Sequence, residues 1–328
     1  MPQKSTAVSC SNIAFIKYWG NRDAARRIPL NNSISMNLDH ATTTTTVAFE
    51  DARDDDHIVI GGALANAAQR ARVVAHLDRV RALAQIESRA RVQSQNNFPM
   101  GAGIASSASA FAALSLAATR AAGLELPERE LSILARQGSG SACRSIPGGF
   151  VEWLAGTESA NSYAVSIAPP TFWELRDVIA IVSTAEKKIG STDGHRAASS
   201  SHFLAERVNA LSARLARVRR ALFAHDLAAL GAAIEEDAIE LHLIAMTSAP
   251  PIFYWSPEMV RVIEAARAWR ADGLGVYFTL DAGPNVHLIC ESKDADQVAA
   301  RAREISDVRQ VIVNAPGGAA RLGEEHLF

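Results

Sequence analysis

The sequence predicts an α+β protein built in two halves, and three observations carry that expectation. The chain has 328 residues, more than one hydrophobic core usually serves, since chains beyond roughly 250–300 residues tend to divide. Strand-like and helix-like segments are mixed, with no internal repeat. Their order also changes part-way: strands with two helices come first, then helices, then strands again. The changeover predicts a boundary near residue 185, giving halves 1–184 and 185–328.

In chain order, Thr42–Thr46 is a threonine run continued by Val47 and Phe49. β-branched residues suit a pleated surface, so it is expected to be a strand. Glu50–Asp56 is acidic and reads as a solvated turn. Val73, Val74, Leu77 and Val80 have helical spacing within 67–84. Residues 106–122 form an alanine-rich helix suited to close packing. Val178–Val182 is a short apolar run expected to be a buried strand. Three helices follow near 201–223, 227–246 and 257–271. The first carries Leu204, Val208, Leu211, Leu215, Val218 and Leu222 on one face. Val276–Leu280 and Val286–Cys290 read as strands around the turn Asp281-Ala282-Gly283-Pro284, and Val311–Val313 as a last strand.

Bulk properties exclude several classes. Hydrophobic residues make up 48% and charged residues 21%, an ordinary globular balance. The formal net charge of −2 gives no overall field to draw in nucleic acid or a membrane, so any anion site must be local. Cys10, Cys143 and Cys290 are far apart and odd in number, which argues against a disulfide framework or zinc site and suits a reducing cytoplasm. Residues 1–20 lack the basic-then-apolar pattern of a signal peptide. Ala108–Ala118 is the longest apolar stretch. It is broken by Ser109 and Ser115, closed by Arg120, and too short to span a bilayer.

The most informative local motif runs from Pro99 to Ala108 and contains Gly101, Gly103, Ala105, Ser106 and Ser107. Glycines let a backbone approach an anion closely. A following helix N-terminus favours phosphate, and serine hydroxyls add donors or contact a phosphate-bound magnesium. No Gly-Lys dipeptide occurs, which excludes a Walker A loop. Gly101-x-Gly103-x-x-Ser106 ends in serine after a poor buried strand, so it is not a dinucleotide fingerprint. Spacing alone equally allows an ordinary glycine turn with a serine cap.

Four blocks together carry a resemblance. The glycine-serine loop resembles the PxxxGLxSSA motif of the GHMP kinase superfamily. Ser11–Gly20 (SNIAFIKYWG), Gly138–Ser145 (GSGSACRS) and Asp281–Asn285 (DAGPN) resemble signatures of its mevalonate diphosphate decarboxylase family. The resemblance implies a GHMP kinase fold, with an N-terminal α+β domain holding a left-handed βαβ unit and a ferredoxin-like C-terminal domain. It implies a homodimeric enzyme that uses ATP and Mg2+ to phosphorylate the C3 hydroxyl of a phosphorylated mevalonate and expel carbon dioxide.

The resemblance also implies roles. Asp281 matches the catalytic aspartate, Lys17 a cation beside the hydroxyl and γ-phosphate, and Arg144 a clamp on the substrate C1 carboxylate, with Asn12 as a second contact. Tyr18, Asn21, Ser139, Gly140 and Ser141 occupy the positions around the C5 phosphate end. Gly101, Gly103, Ala105, Ser106, Ser107 and Ser191 fall at the ATP phosphates, with Lys187, Lys188 and Thr192 in the same KKxxST-like segment. Magnesium would be held mainly by ATP, with no protein ligand assigned. Residues 61–70 are candidates for the adenine pocket, without specific chemistry.

Three positions depart from the family pattern. Asn21 replaces a lysine that normally points at the diphosphate end, and Pro147 replaces an aromatic. Losing a charge-assisted bond of ~1.5–3 kcal/mol is more tolerable for a substrate with one phosphate, so mevalonate 5-phosphate is the expected substrate and isopentenyl phosphate the product. The alternatives are the 5-diphosphate decarboxylase, a mevalonate 3-kinase, or a non-catalytic sensor. The retained Asp281, Lys17 and Arg144 argue against the last two. His195 stands where methionine is usual, a change the sequence does not explain.

Overall fold

The computed structural model describes residues 4–52, 54–98, 106–185 and 189–328. A long strand, β1 (Lys4–Ile16), leads into a small hairpin of β2 (Asn21–Asp23) and β3 (Ile28–Pro29), then into β4 (Ser33–Glu50). β1 and β4 pair antiparallel along nearly their whole length, with bulges at Cys10/Ser11 and Ala14/Ile16. The threonine run lies within β4, as expected. Its inward hydroxyls are paired: Thr43 with Asn96 and Ser109, and Thr45 with Ser94. A buried hydroxyl without a partner would be costly.

β5 (His57–Ile60), β6 (Ala63–Leu64), α1 (Ala67–Ala84) and β7 (Arg89–Asn96) follow. β5 and β7 are parallel, with α1 crossing between them, which forms the expected βαβ unit. α1 opens with a capping box of Asn66 and Gln69. Asp56 does not belong to a solvated turn. It is buried, ion-paired with Arg81, and accepts the backbone N–H of Ala90 at 2.7 Å. An unpaired carboxylate there would be expensive.

α2 (Ser106–Ala121) is buried along most of its length, and its alanines let it lie close against β1 and β4. α3 (Glu128–Gly138), a 3₁₀ turn at Gly140–Ser145, β8 (Phe150–Leu154) and β9 (Tyr163–Ala168) complete the first sheet. β8 pairs with the early half of β4, and β9 with β8.

The second sheet begins with β10 (Leu175–Ile181). After it come α4 (Ser191–Ala197), α5 (Leu204–Ala224), α6 (Leu227–Met246), α7 (Pro257–Ala271), β11 (Val276–Leu280), β12 (Val286–Glu291), α8 (Ser292–Glu304) and β13 (Gln310–Asn314). The strand order β11-β12-β10-β13 is wholly antiparallel. With helices between β10 and β11 and between β12 and β13, this is the ferredoxin-like βαββαβ arrangement. Side chains alternate across the sheet. Ile179 and Ile289 face α5 and α6, while Val178, Phe278 and Leu288 face α7 and α8.

Strand pairing does not change over at residue 185. β10 already belongs to the second sheet, and the last strand, β14 (Arg321–Gly323), returns to pair with β1. One apolar cluster joins both halves, running from Phe15 and Met36 through Ile179 to Leu215 and Ile234. A second packs the first sheet against α1–α3.

Candidate active site

Lys17 follows the end of β1, and its charged tip lies between the two halves. Its Nζ donates to the Ala14 carbonyl at 2.7 Å and to Asp281 Oδ1 at 2.9 Å, and the side chain is 2% exposed. The Lys17 backbone is held as firmly. Its N–H donates to Asp237 Oδ2 at 2.7 Å, and its carbonyl accepts from Arg207 at 3.4 Å and from Asn31 at 3.0 Å. Asp237 is fully buried on α6 and also pairs with Arg207 (3.0 Å) and Arg214 (3.1 Å) from α5. The face of α5 that packs inward therefore carries two arginines among its leucines and valines.

Asp281 stands at the end of β11. Burial raises its pKa, but Lys17, His287 and Arg144 outweigh burial and hold the carboxyl below its ordinary value. Burial lowers the pKa of Lys17, against the pull of Asp281. Asp281 is therefore ionised at neutral pH.

Arg144 sits in the 3₁₀ turn, buried. Nη1 donates to Ser33 Oγ at 2.7 Å, while Nε and Nη2 donate to Asn12 Oδ1 at 3.3 and 3.1 Å. Asn12 in turn donates to Ser145 Oγ at 2.7 Å. Asn12 lies behind the guanidinium, which it orients, and does not line the cavity.

That cavity, about 290 Å³, is lined by Lys17, Arg144 and Asp281 at one end and by Tyr18, Ser139, Gly140 and Ser141 along a wall. Ser106, Ser107 and Ser191 also line it. Ser107 Oγ lies 3.1 Å from Ser139 Oγ, so the glycine-serine segment and the serine-rich stretch meet. Gly140 has to be glycine there, because a Cβ would fall 2.5 Å from the Tyr18 ring. Gly101, Gly103, Ala105, Lys187 and Lys188 lie outside the described residues. A second, more apolar cavity of about 150 Å³ shares Arg72, Ser106 and Ser107 with the first and runs back to Ile58, Ile60, Val92 and Phe111. Of residues 61–70, only Gln69 lines it.

Residues 9–164 match the family described as Diphosphomevalonate decarboxylase-like N-terminal domain, and residues 177–316 the Mevalonate 5-diphosphate decarboxylase C-terminal domain. The chain is 36% identical to diphosphomevalonate decarboxylase mvd1 of Aspergillus fumigatus, over 92% of this chain and 80% of that protein. The chain belongs to the diphosphomevalonate decarboxylase family. It is also 34% identical to phosphomevalonate decarboxylase of Haloferax volcanii, over 90% of both chains. The mevalonate diphosphate decarboxylase structure from Staphylococcus aureus superposes with a TM-score of 0.94 at 35% identity, covering 99% of both chains. A family complex described as MDDEF with MVAPP, AMPPCP and magnesium superposes at 0.93 with 36% identity, covering 98% of this chain and 99% of that one.

Within the family framework, two features of this chain escaped sequence reasoning. Arg27 and Arg72 line the main cavity. Neither arginine falls within a motif block, so nothing in the sequence singled it out. The other feature is His195. Its ring stacks on Tyr18 at 4.0 Å and lies 4.6 Å from Trp19, and its Nδ1 accepts the Gly20 backbone N–H at 3.0 Å. Desolvation between the rings lowers its pKa, helped by Arg27 and Arg144. His195 is thus a neutral imidazole that ties α4 to the Tyr18–Gly20 segment, with a better acceptor than a methionine sulfur. Asn21 does not line the cavity; Tyr18 OH donates to its Oδ1.

Proposed function

We propose that this protein is an ATP-dependent decarboxylase that converts mevalonate 5-phosphate to isopentenyl phosphate, ADP, phosphate and carbon dioxide. Support for the chemistry comes from the Lys17–Asp281 pair beside Arg144. Asp281 accepts the C3 hydroxyl proton as that oxygen attacks the γ-phosphate. The proton leaves late in a loose phosphoryl-transfer transition state, so positioning matters more than basicity. The one Nζ–H of Lys17 not held by Ala14 or Asp281 is available to the developing negative charge. Arg144, its fork fixed by Asn12 and Ser33, holds the C1 carboxylate so that the bond to carbon dioxide aligns with the departing C3 phosphate.

The apolar second cavity is the candidate site for the nucleoside, with the phosphates toward the Ser106–Ser107 junction with the first. No cluster of three or more His, Cys, Asp or Glu able to hold a metal occurs among the described residues. Magnesium would be held mainly by the nucleotide phosphates, with the Ser106 or Ser107 hydroxyl as a candidate further donor, and would neutralise phosphate charge.

One observation carries the monophosphate reading. Position 21 offers no cation, and its carboxamide is engaged by Tyr18 outside the cavity lining. The Haloferax volcanii relative supports the same reading. The test is kcat/KM for the two substrates. We expect mevalonate 5-phosphate to exceed the 5-diphosphate by about ten-fold or more; equal or better use of the diphosphate overturns the reading. Carbon dioxide released in step with ADP excludes a simple 3-kinase.

A further inference from the structure

We propose that Arg27 is the specificity-determining cation for the C5 phosphate, reaching the substrate from the turn between β2 and β3. The inference rests on the substrate reading above only in naming a C5-phosphorylated mevalonate.

Several contacts aim Arg27 inward. Asn21 pairs with Pro29 and Asp23 with Ile28, so the hairpin folds residues 24–27 back toward Tyr18. Asp23 Oδ1 accepts the Arg26 N–H at 2.9 Å, and the Arg26 carbonyl accepts from Arg136 of α3. Arg27 itself adopts the left-handed region, with φ of +52°. Non-glycine residues adopt that conformation rarely, and it persists where surrounding contacts over-determine it.

Among the described residues the guanidinium makes one hydrogen bond, from Nε to the Gln137 carbonyl at 3.1 Å. Gln137 directly precedes the stretch that contains Ser139, Gly140 and Ser141. Arg27 therefore stands at the wall expected to receive the C5 end, with its Nη groups unspent. It makes no ion pair among the described residues, and Arg79 and Arg196 act on it as like charges. A half-buried guanidinium facing a cavity, with like charges around it and donors to spare, needs an anion. Its planar fork suits a phosphate. Arg144, by contrast, is fixed by Asn12 and Ser33. Asn21 offers no cation to the C5 end; Arg27, on the turn of the same hairpin, offers one.

The experiment replaces Arg27 with Gly or Asn, both of which tolerate a positive φ, and with Lys, which keeps the charge. Each variant is assayed with mevalonate 5-phosphate and mevalonate 5-diphosphate at saturating ATP, and then with ATP varied. The expected result for R27G and R27N is a rise in KM for phosphorylated substrate of about ten- to hundred-fold. KM for ATP and melting temperature should stay unchanged, and R27K should recover part of the loss. Less than a three-fold rise in KM overturns the assignment. So does an equal rise in KM for ATP, since that loss would not be one of reading the C5 phosphate. If the native enzyme prefers the diphosphate while R27G and R27N still weaken it, the monophosphate reading fails and the role of Arg27 stands.

Discussion

Lys17 Nζ and Asp281 Oδ1 lie 2.9 Å apart although 264 residues separate them in the chain. The cation follows the end of the first strand, and the carboxylate ends a strand of the second sheet. The pair exists only when the two halves are docked, so docking and assembly of the chemistry are one event.

Asp281→Asn should reduce kcat by about 10²–10⁴-fold, the usual weight of a positioned proton acceptor. Nucleotide affinity should not change. The melting temperature should fall as well, because buried Lys17 would lose its counter-charge. Assays of turnover, nucleotide binding and thermal unfolding check the three parts, and turnover near the native rate sinks the assigned role.

The pH profile should carry the sign of the Asp281 shift. Its pKa is depressed, so the ionised form persists as pH falls and is lost only below the ordinary carboxylate range. This group should leave kcat/KM level between about pH 5 and 7. An inflection in that window that disappears in Asp281→Asn would contradict the ion-pair account.

Asp237→Asn should destabilise the protein by about 3–5 kcal/mol, the usual cost of stranding a buried charge. Arg207 and Arg214 would lose their common buried partner, and the Lys17 backbone would lose an acceptor at 2.7 Å. The variant should therefore lose activity beyond what its folded fraction explains. Urea denaturation with activity measured on the folded fraction checks both effects; stability within 1 kcal/mol of the native protein would refute the first.

Acid should unfold the protein early. His76 and His242 are buried, and desolvation first, then nearby cations, lower each pKa to about 3. Below the unfolded value of 6.5 the unfolded chain takes up protons that the native state refuses, so stability is full above that pH and declines as pH falls toward 3. Each histidine should remove about 2 kcal/mol by pH 5. Melting temperatures from pH 7.5 to 5 test this, with His76→Gln expected to give a shallower slope. A flat profile for the native protein would count against it.

Periodicity and motif chemistry made much of this protein legible from its sequence. α1, α6 and α7 lie where helical spacing put them, and β11 and β12 flank the expected turn. Within those elements each residue's neighbours are local, so pattern suffices. β1 was not legible, because Ser9, Ser11 and Asn12 interrupt its apolar residues and yet are buried. The buried arginines of α5 and the Asp56–Arg81 pair were hidden for a similar reason. A charge reads as solvated until a partner from a distant segment is known to meet it.

The sequence by itself determined the family signatures and pointed to Lys17, Arg144 and Asp281 as candidates for the chemistry. Tertiary structure alone decided how they are arranged: Asn12 stands behind Arg144, His195 stacks on Tyr18, and Arg27 turns into the cavity while Asn21 does not line it. The physical reason is the same in each case. These relations depend on distances of about 3–4 Å, the range of hydrogen bonds and ring contacts, across strands and helices far apart in the chain, and no spacing along a sequence encodes them.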